Sequence, residues 1–261
     1  MFILQFFFLF LFGTLVGTCG TMLGVGGGFI HVPFLMLAFN FIPQDAIGTS
    51  IGIIFFNTLA GATIYYFKKQ MDFELAKKLS LATIPGALLG PFIVQRYTHS
   101  FFSICLTLML LLVSYTLYFK KEKKSFNKKN EVKEEVEEEY AVNVPLGFIG
   151  TIVIGFLSNL FGIGGGIIHV PFLIIMLKMP VHIALGTSHL ILCVSSFLGT
   201  LMFLYLGNVQ VDFMMPIALG SIIGARVGAE LSQQISSNMI QKILAVTLVF
   251  VAIKLLFNAL M

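Results

Sequence analysis

A twelve-residue segment occurs twice in this chain. Gly24 to Leu35 reads GVGGGFIHVPFL, and 138 positions later Gly162 to Leu173 reads GIGGGIIHVPFL, identical at ten of twelve positions. Each copy lies inside a long apolar run. Three consecutive glycines weaken a helix because they lose the most backbone freedom on ordering. The proline five residues on has no amide hydrogen to continue one. The chain is therefore two copies of one unit, and each copy interrupts its own helix at the same point.

The solvent follows from composition. Hydrophobic residues make up 57% of the 261 positions and charged ones 11%, with a mean hydropathy of +0.97. A soluble domain carries about 25% charged residues. Half of the 28 Lys, Arg, Asp and Glu lie between Lys120 and Glu139, so the rest of the chain is suited to lipid. This is the pattern of an all-α, polytopic membrane protein. The net charge of +4 comes from loop lysines and bears on orientation rather than on nucleic acid, for which no partner role is expected. Cys19, Cys105 and Cys193 fall in separate apolar runs without a CxxC pair, so neither a disulfide framework nor a zinc knuckle is indicated. The apolar N-terminus lacks a basic n-region and reads as part of the mature fold rather than as a signal peptide.

The duplication extends past the glycines. GTS at Gly48–Ser50 recurs at Gly186–Ser188, and Gly61 maps onto Gly199. The reading is a first transmembrane repeat over 1–119, a charged cytoplasmic linker over 120–143 and a second repeat over 144–261. Apolar stretches cover roughly 2–39, 46–67, 79–96 and 101–119, then 144–177, 183–206, 213–230 and 239–260. One span needs about 20 residues. The first stretch of each repeat is too long for one helix, which leaves a kinked span, two spans or a re-entrant hairpin. Equivalent loops differ in charge: four lysines lie between Lys68 and Lys78, and none between Gly207 and Asp212. Loops on opposite sides of a membrane differ in this way. The expected fold is a bundle of two inverted repeats, each a glycine-interrupted stretch (broken helix or re-entrant hairpin) followed by three transmembrane helices.

An unwound backbone at bilayer depth is tolerated only where protein buries it or a cavity receives it. A helix restarting after Gly26, Gly27 and Gly28, or after Gly164, Gly165 and Gly166, points its free N–H groups and positive dipole end inward. Pro33 and Pro171 release the carbonyls of Phe29 and Ile167. Paired broken helices at the midplane are a recurring transporter design whose positive ends suit anions. The later spacings Gly86-xxx-Gly90 and Gly220-xxx-Gly224-xxx-Gly228 read instead as close helix packing. His31 and His169 occupy equivalent positions one turn into the restarted helices, where an imidazole can hydrogen-bond an anion or relay a proton. His189 has no histidine counterpart and is a further candidate. Thr49, Ser50, Thr187, Ser188 and Asn57 either line a pathway or bond between helices, and both readings stand. Asp45, Asp72 and Asp212 precede apolar runs, as helix caps do. Arg226 and Glu230 stand one turn apart, as a pair.

The twin glycine-triplet-plus-proline segments, each followed by GTS at matching distance, closely resemble the sulfite exporter (TauE/SafE) family of membrane permeases, also described as the 4-toluene sulfonate uptake permease family. The resemblance covers nearly the whole chain apart from the linker. It implies a multi-pass permease of the cytoplasmic membrane moving sulfite, sulfonates or related small anions, with Gly26, Gly27, Gly28, Pro33, Gly164, Gly165, Gly166 and Pro171 along the pathway. The third residue after the triplet is often apolar in that family and is histidine here in both halves, which leaves the substrate open.

The expected partners are a small-molecule anion and the lipid bilayer, with assembly into a homo-oligomer left open. No cofactor, metal or enzymatic activity is expected, since there is no HExxH and no intramembrane carboxylate cluster. Proton coupling through His31 and His169 is a second expectation. The alternative is a histidine-based metal-binding or metal-transporting membrane protein, kept open by the histidines, Cys19, Cys193 and several methionines.

Overall fold

The computed structural model describes residues 2–96, 98–119, 144–232, 249–250 and 252–253. The charged linker over 120–143 and most of the last apolar stretch lie outside them. Among the described residues there are nine helices and no strand. They are α1 (Phe2–Met22), α2 (Gly28–Phe39), α3 (Pro43–Phe67), α4 (Phe73–Val94), α5 (His99–Phe119), α6 (Val144–Phe161), α7 (Gly166–Ile175), α8 (Val181–Tyr205) and α9 (Val211–Leu231). Five of these, α1, α3, α6, α8 and α9, are long and apolar enough to cross a membrane.

The boundaries follow local chemistry. Pro43 opens α3, where its missing N–H is no loss. Asp72 caps α4 as expected, its carboxylate accepting from the Leu75 N–H at 2.9 Å. Helix α4 begins at Phe73, earlier than the apolar run from 79 suggests, because its first turns are polar and carry the exposed Glu74–Lys77 pair at 2.9 Å. Asp45 is no cap. It sits in the first turn of α3 and accepts from Asn208 Nδ2 at 3.0 Å and Gln210 Nε2 at 2.9 Å. Asp212 lies inside the first turn of α9, behind Gln210 at the cap position.

The two repeats interlock. Helix α1 of the first lies along α9 of the second, and α6 of the second lies along α4 of the first. Glycine makes both seams close. Gly220, Gly224 and Gly228 face the backbone carbonyls of Phe10, Thr14 and Thr18, while Gly86 faces Ile152 and Phe156 and Gly90 faces Asn159. In lipid, where helix association depends on van der Waals contact rather than on water, such approach is a main source of cohesion. The central pair, α3 and α8, runs antiparallel: Gly48 meets Phe203, Gly61 meets His189 and Gly186 meets Tyr65.

The short helices fold back. Phe34 of α2 stacks on Phe12 of α1 with ring centroids 3.7 Å apart and also approaches Phe8 at 6.3 Å. Phe172 of α7 lies over Gly150 of α6 in the same way. Each glycine segment is thus the tip of an antiparallel pair.

Among the described residues, charge stays at the periphery. Arg226 and Glu230 pair at 3.8 Å near the end of α9, both well exposed. Replacing either with alanine should change unfolding stability in detergent by less than about 0.5 kcal/mol. A loss several times larger would show that the pair holds α9 in place.

Candidate functional site

Helix α1 ends at Met22, and the next residues stay bonded to it. The Val25 and Gly26 N–H groups both reach the Gly20 carbonyl, at 2.7 and 3.2 Å. The chain then reverses through left-handed backbone at Gly24, Gly26 and Gly27 (φ 74, 79 and 83°), matched by Gly162, Gly164 and Gly165 (68, 75 and 63°). That conformation is open to glycine and costs other residues about 1–2 kcal/mol. The last glycine of each triplet has another reason to be there. Gly28 and Gly166 are already helical, but a Cβ on Gly28 would meet the Gly162 carbonyl and Ile163, and one on Gly166 would meet the Gly24 carbonyl and Val25. The two tips therefore touch each other, backbone to backbone.

A helix start leaves its first amide hydrogens without internal partners. Ile30 and His31 bond back to the Gly27 carbonyl, and Ile168 and His169 to that of Gly165. The N–H groups of Gly27, Gly28 and Phe29, and of Ile163, Gly164, Gly165 and Ile167, find no acceptor among the described residues. All seven residues are buried. Buried amides without partners are rare, and here they cluster at two helix starts in contact.

The family model for the sulfite exporter TauE/SafE matches residues 9–255, nearly the whole chain. The chain belongs to the TauE/SafE family. Its relatives include the probable membrane transporter protein YunE of Bacillus subtilis, 27% identical over 98% of both chains. YdhB of the same organism is 26% identical over 95% of this chain and 98% of its own. YfcA of Escherichia coli is 23% identical over 96% and 89%. No solved structure matches. A multi-pass membrane transporter is the reading common to these relatives and the apolar helices.

In this TauE/SafE protein the GTS residues hold the repeats together. Ser50 donates to the Gly162 carbonyl at 2.8 Å, and Ser188 donates to the Gly24 carbonyl at 3.4 Å. Thr49 accepts the Gln210 N–H at 3.0 Å and Thr187 the Asp72 N–H at 3.1 Å. Gly48 and Gly186 admit the carbonyls of Asn208 and Gln70. Every one of these contacts crosses between repeats. Asn57 ties three helices, donating to the carbonyls of Gly17 at 3.3 Å and Ser221 at 3.2 Å while accepting from Thr21.

The histidines do not converge. His31 is 0% exposed, neither ring nitrogen has a partner among the described residues, and its ring lies edge-on to Phe12. Its Cε1, the atom between the two nitrogens, is 3.3 Å from where a Gly27 side chain would begin. His169 is 1% exposed and shares a hydrogen bond with Thr151 across Nε2 at 3.3 Å. His189 lies elsewhere, between α3 and α8, bonded through Nδ1 to the Leu185 carbonyl at 2.9 Å and packed on Gly61 and Tyr65. Among the described residues, no three His, Cys, Asp or Glu side chains come together in a way that would hold a metal. Pro33 and Pro171 lie within α2 and α7, one turn past the unpaired amides.

Two partners were not singled out by sequence reading. Thr151 replaces Gly13 of the first repeat, so only His169 gains a hydroxyl. Asn159 donates to Ser195 at 3.0 Å, at the positions that Thr21 and Asn57 hold in the first repeat. The amide has changed helices, and an exchange of residue types between paired repeat positions is the signal that would have found it.

Proposed function

We propose that the chain is a cell-membrane permease for small sulfur oxyanions or sulfonates, which pass between the two touching glycine tips. The observation carrying this reading is the set of seven buried amide hydrogens without partners among the described residues, three at the start of α2 and four in the turn before and at the start of α7. Such groups hydrogen-bond an anion with little reorganisation. His31 supplies a side chain beside one set and His169 beside the other.

Two features support an inverted arrangement. Each hairpin enters and leaves on one side, and in the first repeat the three helices that follow it, α3, α4 and α5, make the number of crossings odd. The antiparallel α3–α8 pair sends the lysine-bearing loop after α3 and the uncharged loop after α8 to opposite ends.

The test is flux of labelled sulfite and methanesulfonate into proteoliposomes holding the full chain. Uptake above protein-free vesicles is expected, and uptake no faster than theirs would end the proposal. His31→Ala should weaken apparent affinity by about tenfold, the loss of one hydrogen bond to a charged ligand. Proton coupling is a second reading, favoured by both ring nitrogens of His31 and by Nδ1 of His169, which have no partner among the described residues. A His31→Ala/His169→Ala protein whose flux keeps the parent's pH dependence would remove it.

A further inference from the structure

The charge of the substrate is legible in what surrounds the site. Among the described residues, no lysine, arginine, aspartate or glutamate is buried. Among the described residues, the positive potential at the tips therefore comes from dipoles. Each helix start presents about half an elementary charge, so α2 and α7, with 12 and 10 residues, together offer about one. The cost of taking an ion out of water grows with the square of its charge, roughly fourfold from a monoanion to a dianion. Two half-charges balance the first and leave the second half compensated.

A second observation lies beside the tips. His31 is 0% exposed with both ring nitrogens unpartnered among the described residues, and its Cε1 faces the Gly27 turn, 3.3 Å from the place a Cβ on that glycine would take. That edge can accept the proton of a singly protonated oxyanion. His169 Nδ1 has no partner among the described residues. A fully ionised anion, methanesulfonate and a dianion alike, has no proton to offer either ring and can only accept an imidazole N–H.

Resting on the anion reading above, we infer that the site between the tips takes oxyanions bearing a single negative charge, and that an oxyanion able to carry two enters in its singly protonated form. The restriction follows from the count of compensating charge: two helix starts, with no buried lysine or arginine beside them among the described residues, offset one negative charge more completely than two.

Sulfite tests this, because it passes from one negative charge to two across the neutral range, whereas methanesulfonate keeps one throughout. Dissociation constants for both, from ligand-induced thermal stabilisation of the purified full chain, are compared between about pH 6 and about pH 9. The methanesulfonate series reads the protein's own titration, including His31, His169, His189, Tyr65, Cys19 and Cys193 on the helices around the tips. Affinity for total sulfite, divided by that for methanesulfonate, is expected to fall at least about tenfold over this range, following the monoanion fraction. A ratio that stays level or rises overturns the inference and leaves the anion site standing. Sulfite bound without any binding of methanesulfonate overturns it too. Binding of neither anion at any pH removes the anion site, and this inference with it.

Discussion

Leucine in place of Gly27 or Gly165 is expected to abolish anion flux in a protein that still inserts and keeps its helices. Both positions have left-handed backbone, at φ 83 and 63°, which costs an L-residue about 1–2 kcal/mol before any contact is counted. Space is also short. A Cβ on Gly27 would lie 3.0 Å from Val16 Cγ1 and 3.3 Å from His31 Cε1, and one on Gly165 would lie 2.9 Å from Ser158 Cβ. The remaining atoms of leucine would have to enter between the arms of the hairpin, moving the restarted helix and the amide hydrogens it presents. The glycine seams between α1 and α9 and between α4 and α6 lie elsewhere and should survive. Gly207→Ala is the control, because Gly207 has the same kind of backbone (φ 75°) with nothing within 4 Å of an added Cβ. It should lose about 1 kcal/mol of stability and retain flux. Normal flux through Gly27→Leu would mean that the tips are not the path.

Ser50→Ala should be the most damaging of the conservative hydroxyl deletions. It strips the Gly162 carbonyl of a buried donor at 2.8 Å, and a buried group left unpaired costs about 1–3 kcal/mol. Ser188→Ala, removing a 3.4 Å contact, should cost less. Thr49→Val leaves the Gln210 N–H without its 3.0 Å acceptor, and Thr187→Val does the same to the Asp72 N–H at 3.1 Å. Because each bond joins one repeat to the other, the losses should appear as weaker association of the halves. Denaturant unfolding in detergent reads them directly. Ser50→Ala with parental stability would show the bond to be incidental. Flux should fall with Ser50→Ala as well, since the same bond positions the tip that carries the Gly164 and Gly165 amides.

Much of the local geometry at the candidate site was legible in the order of residues alone. The glycine triplets lie at helix starts, His31 and His169 fall one turn later, and the packing glycines of α4 and α9 meet neighbouring backbones. Those features are local, and a repeat displays each of them twice. The direction of the chain after the glycines was not legible. A kinked span and a stretch that turns back share one hydropathy profile, and the stacking of Phe34 on Phe12 separates those two only in space. The hydroxyls of GTS likewise allowed two readings, since their partners lie 112 and 164 residues away for the serines. Asp45 looked like a cap because capping is the commonest local use of an aspartate before a helix, and its partners Asn208 and Gln210 belong to the other repeat.

The solvent, the duplication and the place where each unit's helix breaks follow from residue order, because hydropathy and glycine's backbone freedom act within a few neighbouring residues. Tertiary structure alone decided that the two breaks meet, that GTS clasps one repeat to the other, and that Thr151 engages His169 while His31 stays unpartnered among the described residues. Those outcomes depend on which helix lies opposite which, and an interlocked bundle sets that through close contacts between residues far apart in the chain.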